Sequence, residues 1–350
     1  MGACLVLESG CAFGPASLKA DQVNYARALG DAKKREIVSM IVGLRYADAP
    51  SVLNLTQIIA AYTFDATGTA LINSRPDPAG PSAGVTGAAT YSNHPTFTFT
   101  PTTGERYAKA YIHPLAPALI LPLADSGIPV DLLLRITVQS IGRLNNATML
   151  GGPAGNGSPQ FFELLQVLRR LQLAGELSIR DVPDRGGDRV MMSVGSPRLG
   201  KDTDPDAAKN SKDRVRVREL LGLAEGRDAY EIVAAAAAAS NQIPIITRSV
   251  LAVLSDLGAE IAVPDADVLT GATSPTIALT GGETRPILEI HVGRRAPSHS
   301  YTAIEYRSSE YWIADADFDS KYALTVIQDV MALAEETDTS HPPIVTIPAG

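Results

Sequence analysis

Ile37-Val38-Ser39-Met40-Ile41-Val42-Gly43-Leu44-Arg45-Tyr46-Ala47-Asp48-Ala49-Pro50, running on into Ser51-Val52-Leu53-Asn54-Leu55-Thr56-Gln57-Ile58-Ile59, is the stretch on which a reading of the 350-residue chain turns. Ile37, Met40, Ile41 and Leu44 fall at i, i+3, i+4 and i+7, one apolar stripe, while Lys33 to Glu36 lie at its start or off the stripe. The spacing predicts a helix. Residues 21–29 predict an earlier helical piece, separated from it by Gly30-Asp31, which makes two short helices or one kinked one. Pro50 disfavours the α region for Ala49, so the helix must end before it. Residues 52–59 then read as a strand too apolar for a half-exposed surface. Arg45, Tyr46 and Asp48 sit at this junction, where a cation at a helix C-terminus is favourable. A buried Arg45 calls for a carboxylate or several carbonyl partners; Asp48 and the carboxylates of residues 315–319 are the candidates.

Outward from the junction, residues 73–93 carry prolines, glycines and many small residues and read as a surface loop or linker. Residues 96–100 alternate Thr with Phe97 and Phe99, a strand. Thr102 and Glu105 have capping-box spacing for a helix over 103–112, stopped by Pro114. Val130, Leu132, Leu134, Ile136 and Val138 alternate with more polar residues, which predicts a half-buried strand over 130–138. The glycine-rich residues 151–158 lack the lysine of a phosphate cradle, and Ser158-Pro159 suits a helix start instead. A helix over 159–171 buries Phe161, Leu164, Leu165, Leu168 and Leu171. A hairpin over 176–182 and 189–195 follows, then a charged, solvated excursion over 196–213. Strands are expected at 230–233 and 243–246, a helix at 249–257, a meander over 286–292, 302–307 and 310–314, a helix at 326–334 and a last strand at 345–348.

Strand meanders and single helices without a βαβ repeat give an α+β fold, mainly antiparallel, with amphipathic helices packed on the strands. The expected organisation is an anchor segment at 1–13, an N-terminal α+β region at 14–150 and a C-terminal one at 151–350. With 45% hydrophobic and 19% charged residues the chain can bury a substantial core. Its formal charge of −8 argues against nucleic acid, which selects a basic face, and against a polybasic membrane contact. The longest apolar runs are far short of the roughly 20 residues of a transmembrane helix.

Cys4 and Cys11 both precede the folded part, so no internal disulfide framework is expected. Ser9-Gly10-Cys11 matches the end of a lipoprotein cleavage site, although Glu8 departs from the aliphatic residue usual three before the cysteine. Residues 1–7 hold no Lys or Arg, which leaves two expectations open: a truncated or late start with Cys11 lipidated, or a cytoplasmic protein if Met1 is genuine.

Residues 37–62, with Arg45-Tyr46-x-Asp48-x-Pro50 inside them, resemble a family of uncharacterised Gram-negative envelope lipoproteins with an IVxLRYxDxP segment soon after their lipidated cysteine. Thr247-Arg248-Ser249, Tyr311-Trp312-Ile313-Ala314-Asp315 running to Ser320-Lys321, and Val345-Thr346-Ile347-Pro348-Ala349-Gly350 are similar too, in the same order. The resemblance implies a lipid anchor at Cys11 and an envelope location, with no chemistry attached. Ala12 after the cysteine implies delivery to the outer membrane, on its periplasmic side.

Candidate chemistry is sparse. Asp315-x-Asp317-x-Asp319 has the opening spacing of a calcium loop, but Ser320 stands in place of the turn glycine and Val326 in place of the bidentate glutamate. None of His94, His291, His299 and His341 has a partner at zinc spacing. No catalytic, cofactor or metal residue is therefore expected. Arg45, Asp48, Arg248, Trp312 and Asp315 remain as structural or interaction residues, with Arg248 either binding an anion or held in a salt bridge. Two functional classes stay open. One is a scaffold or assembly component touching other envelope proteins or copies of itself. The other is a periplasmic hydrolase or ligand-binding protein, for which Ser249, His291 and the Asp315 cluster are the polar candidates.

Overall fold

The computed structural model describes residues 13–59, 62–73, 82–93, 96–148, 157–183, 189–195, 207–224, 226–239, 241–276 and 285–335. In chain order these form α1 (Phe13–Arg45), β1 (Leu53–Ile59), β2 (Tyr62–Asn73), β3 (Ser82–Asn93), β4 (Thr96–Pro101) and α2 (Gly104–Tyr107). A π-helical turn (Ala108–Ile112) is followed by α3 (Pro117–Ile120), a 3₁₀ turn (Leu121–Ala124), α4 (Val130–Thr137), β5 (Val138–Ile141), β6 (Leu144–Asn145) and α5 (Pro159–Leu173). Then come β7 (Leu177–Val182), β8 (Arg189–Val194), α6 (Ala207–Leu221), β9 (Ala229–Ala234), β10 (Gln242–Thr247), α7 (Val250–Glu260) and α8 (Asp265–Leu269). The last are β11 (His291–Gly293), β12 (Ser300–Tyr306), β13 (Ser309–Ala314) and α9 (Phe318–Glu335). The fold is α+β. It divides into two units, residues 1–50 with 105–337, and residues 51–104 with 338–350.

The larger unit holds a six-stranded sheet in the order β6-β5-β10-β9-β8-β7, in which β9 and β10 run parallel and the other pairs antiparallel. Ile179, Met192, Ile232, Ile243 and Ile245 of that sheet, with Leu134, Leu164 and Leu168 from α4 and α5, surround an apolar void of about 20 Å³. This is where the core sits. α5 reads as expected: Phe161, Leu164, Leu165, Leu168 and Leu171 are buried on one side, each contributing about 1.5–3 kcal/mol of transfer free energy. Ser158 is its N-cap residue and Pro159 its first helical one, yet the Ser158 hydroxyl is turned to Asn145 and not to the helix. A second sheet, β11-β13-β12, packs through β12 against α1.

α1 is one helix of 33 residues, unbroken at Gly30-Asp31. A single glycine costs a helix interior only about 1 kcal/mol, too little to interrupt one whose C-terminal half buries Ile37, Val38, Met40, Ile41 and Val42. Its end is set earlier than Pro50 requires. Ala47 adopts φ 61°, the Ala47 N–H donates to Leu44 O and the Asp48 N–H to Gly43 O, the paired bonds of a Schellman motif.

Four expectations are corrected here. Residues 130–137 are helix, not strand: Val130, Leu133, Leu134 and Thr137 are buried at i, i+3, i+4 and i+7, a spacing that eight apolar-rich residues satisfy as readily as alternation. The charged excursion over 196–213 contains the start of α6, which lies on α5 through ion pairs. Arg170 grips Asp213 with two 2.8 Å bonds, Arg214 reaches Glu176 at 2.8 Å and Arg216 reaches Glu163 at 2.6 Å. Residues 82–93, expected as loop, are a strand paired throughout with β2. Finally, β1 is not a core strand. Among the described residues it pairs only with β4, and Leu53 is 50% exposed.

The sequence expectation at 345–348 and the glycine-rich residues 151–156 lie outside the described residues. Thr102 does not cap the following helix; its hydroxyl, though buried, has no hydrogen-bond partner among the described residues.

Candidate functional site

Three polar clusters and one ribbon collect the residues that the sequence singles out. The first cluster is built by Thr247-Arg248-Ser249 as β10 passes into α7. Ser249 caps α7 by accepting from the Ala252 N–H at 3.2 Å. Arg248, 5% exposed, is held in a salt bridge, its Nε 3.1 Å from Asp256 Oδ2. Its guanidinium also donates to Arg135 O at 3.0 Å, to Ile136 O at 3.3 Å and to Ala147 O. Asn146 Nδ2 donates to Arg135 O and Val138 O. The C-terminal carbonyls of α4 are thus answered by two side chains from elsewhere in the chain, a use of cationic and amide donors that helix ends favour. Arg135 and Glu260 stand 3.9 Å apart nearby, and burial pushes the Glu260 carboxyl up from its usual range. The cavity these residues line measures about 20 Å³, about one water molecule. It is too small for a substrate.

The second cluster is the corner after α1. Arg45, 3% exposed, donates through Nη2 to Ser274 O at 2.7 Å and Thr276 Oγ1 at 3.2 Å, and accepts from Thr273 Oγ1 at its own carbonyl. Of the expected partners, a carboxylate or several carbonyls, neither candidate carboxylate is the one used: Asp48 accepts from the Tyr306 hydroxyl, and residues 315–319 engage other cations. Among the described residues a carbonyl and a hydroxyl, and no carboxylate, reach the guanidinium, and burial presses its pKa down. The Tyr46 hydroxyl donates to Asp267 Oδ2 at 2.7 Å, so in its 2.7 Å contact with Tyr311 the Tyr46 oxygen accepts from the Tyr311 hydroxyl. Arg307 lies 4.7 Å from the Tyr46 ring centroid.

These tyrosines imply an alkaline weakness. Burial, then hydrogen bonding to Asp48, pushes Tyr306 up to about 12, and burial raises Tyr46 and Tyr111 further. A group whose folded pKa is raised stabilises fully below its unfolded value, about 10, and ceases to do so as pH passes the folded one. Stability should therefore fall from about pH 10 upward, and Tyr46→Phe should flatten that fall while lowering stability at pH 7. Urea titrations at several pH values check this; parallel pH profiles for parent and variant would refute it.

The third cluster surrounds an open hollow of about 430 Å³ lined by Arg285, Glu289, His291, Asp317, Phe318 and Asp319 among others. Asp317 precedes α9 and accepts from the Ser320 N–H and hydroxyl, while Arg285 bridges Glu289, Asp317 and Asp319. Asp315 pairs with Lys321 at 3.1 Å. Trp312 lies against Gly293 and stacks on His291, ring centroids 5.7 Å apart. Among the described residues no group of three or more His, Cys, Asp and Glu is placed to hold a metal ion. Ser249 does not line this hollow, so the three polar candidates for hydrolysis do not converge in it.

The ribbon is what sequence reasoning missed. β1 pairs with β4 and β2 with β3, all antiparallel, and neither pair has a third strand among the described residues. The register is shared: Ile58↔Phe97 and Ile59↔Thr96 in one pair, Tyr62↔Asn93 through Asn73↔Ser82 in the other, keep one offset. Leu53, Phe97 and Phe99 are 50%, 44% and 56% exposed. The signal was a period of two written in small residues. Comparison of the chain with protein-family models, curated proteins and solved structures gave no match. Cys11 lies outside the described residues, and no described helix is long and apolar enough to cross a membrane.

Proposed function

We propose that the chain is a lipid-anchored protein of the cell envelope, held through Cys11 on the periplasmic side of the outer membrane, and that it acts through protein contacts as a scaffold or assembly component. The observation that supports this reading is the ribbon of residues 53–101. A two-stranded ribbon is marginal in water by itself, and this one has no third strand among the described residues and carries half-exposed phenylalanines, the surface that a partner chain covers. The hydrolase or ligand-binding alternative has less behind it: His291 and the Asp315 cluster meet at one hollow but are engaged in stacking and ion pairing, and Ser249 caps a helix and does not line that hollow.

The test is lipid labelling of the chain expressed with its native upstream sequence in a Gram-negative host. An alkyne-tagged fatty acid should label the parent and not Cys11→Ala, and cross-linking in whole cells should join copies of the labelled chain. An unlabelled parent overturns the anchor. Labelled but uncrosslinked protein overturns the scaffold.

A further inference from the structure

The β2–β3 hairpin sorts its residues by face. Alternate residues of a strand share a face, and directly opposed residues lie on the same face. One row of cross-strand pairs is therefore Phe64↔Tyr91, Ala66↔Ala89, Gly68↔Gly87, Ala70↔Val85 and Ile72↔Ala83. The other is Thr63↔Ser92, Asp65↔Thr90, Thr67↔Ala88, Thr69↔Thr86, Leu71↔Gly84 and Asn73↔Ser82. The first row is apolar along its length; the second is mostly hydroxyl and amide. Tyr62↔Asn93, with a polar Asn93, falls at the end of this row, and Ile58↔Phe97 of the β1–β4 pair keeps the same offset. Aromatic residues thus gather at one end of this row, and alanine, glycine, valine and isoleucine occupy the rest.

Charge is excluded as well. Asp65 is the only Asp, Glu, Lys or Arg in either strand, and it falls in the polar row. Neither strand holds a proline or a lysine, the residues by which soluble proteins guard a free strand edge. Twelve residues per strand at about 3.3 Å each span about 40 Å. Tilted by about 45°, they project about 28 Å along the normal, against an apolar band of about 25 Å in transmembrane barrels.

From this we infer that residues 62–73 and 82–93 are a membrane-inserting hairpin, and that several copies of this chain join the outer edges of β2 and β3, which meet no third strand among the described residues, into one transmembrane β-barrel. The Phe64 to Ile72 row faces lipid and the Thr63 to Asn73 row lines a water-filled channel for ions and small polar solutes. The second copy is required by the bilayer, which tolerates no unpaired edge. With two strands from each copy and about eight the small end of known barrels, about four copies or more close the ring. The inference rests on the envelope placement proposed above, and it names what the assembly does there.

The experiment uses the full-length chain with dye-loaded vesicles of phosphatidylethanolamine and phosphatidylglycerol, and planar bilayers of the same lipids. The parent should float with the vesicles and release dye. Ala66→Arg with Ala70→Arg, charges on the lipid row, should reduce release by roughly tenfold or more. Thr67→Arg with Thr69→Arg, charges on the channel row, should still insert and shift selectivity toward anions. Urea melting of each variant, reporting the larger unit, checks that the rest of the fold is intact. No release by the parent, or equal loss from both rows in folded protein, overturns the barrel. If the chain is fatty-acylated and cross-links to itself in cells but shows neither release nor row dependence, the envelope reading stands and the barrel falls. Row-dependent release from a chain without acylation leaves the barrel standing and removes the lipid anchor.

Discussion

Arg248→Ala should lower the stability of the protein by about 3–5 kcal/mol, the cost of breaking a buried pair from one side, and its melting temperature by roughly 10 °C. The reason lies in what this side chain answers. The last turn of α4 exposes carbonyls that the helix cannot satisfy itself. Val138 N–H takes Leu134 O, and the Arg248 backbone N–H takes Thr137 O. The Arg248 guanidinium takes Arg135 O and Ile136 O, and reaches across to Ala147 O. Alanine removes three donated bonds and leaves Asp256, whose side chain is 15% exposed, beside Glu260 without its cation. Arg248→Lys keeps a charge but loses the planar fork, so it should recover only part of the loss. Thermal and urea unfolding measure both. A variant melting within about 2 °C of the parent would show that the carbonyls find water easily and that the pair is worth no more than an exposed one.

The same residue shows how far the sequence could be read. From residue 159 onward α5, α7, α9 and the hairpin of β7 and β8 were legible because their stripes and alternation obey their periods. α4 was not, since Leu132-Leu133-Leu134 fits either period and only the packing of Leu133 and Leu134 decides. α6 was hidden for the opposite reason. Its apolar residues are few, and it is held to α5 by Arg170–Asp213 and Arg216–Glu163 and to the residue before β7 by Arg214–Glu176, pairs that no local pattern announces. Arg45 and Arg248 are both buried cations that the chain must answer, and their neighbours in sequence say little about how. For Arg45 the answer comes from Ser274 and Thr276, more than two hundred residues along the chain, and sequence proximity pointed to Asp48 in vain. The β2–β3 alternation lay in plain view in Ala66, Gly68 and Ala70 against Thr67 and Thr69. Glycine and proline nearby suggested a loop because small residues carry little β propensity in water.

Two glycine substitutions, both in helix interiors, should move stability in opposite directions. Gly30 stands in α1 with open space where a Cβ would be built. Gly30→Ala should therefore stabilise by about 0.5–1 kcal/mol, the ordinary helix gain. Gly258 stands in α7 where that helix meets α1, and a Cβ there would lie 2.8 Å from Ile41 O and 3.5 Å from Arg45 N. A backbone oxygen cannot swing aside as a side chain does. Gly258→Ala must push the two helices apart, and overpacking of this kind costs about 1–3 kcal/mol, enough to cancel the helix gain and reverse its sign. The displacement falls on the last turn of α1, so it should also loosen the Arg45 contacts to Ser274 and Thr276. Urea unfolding of the two variants decides the matter. A stabilised Gly258→Ala would mean that α1 and α7 are not in van der Waals contact at this point, and the corner after α1 would lose the support on which its buried arginine depends.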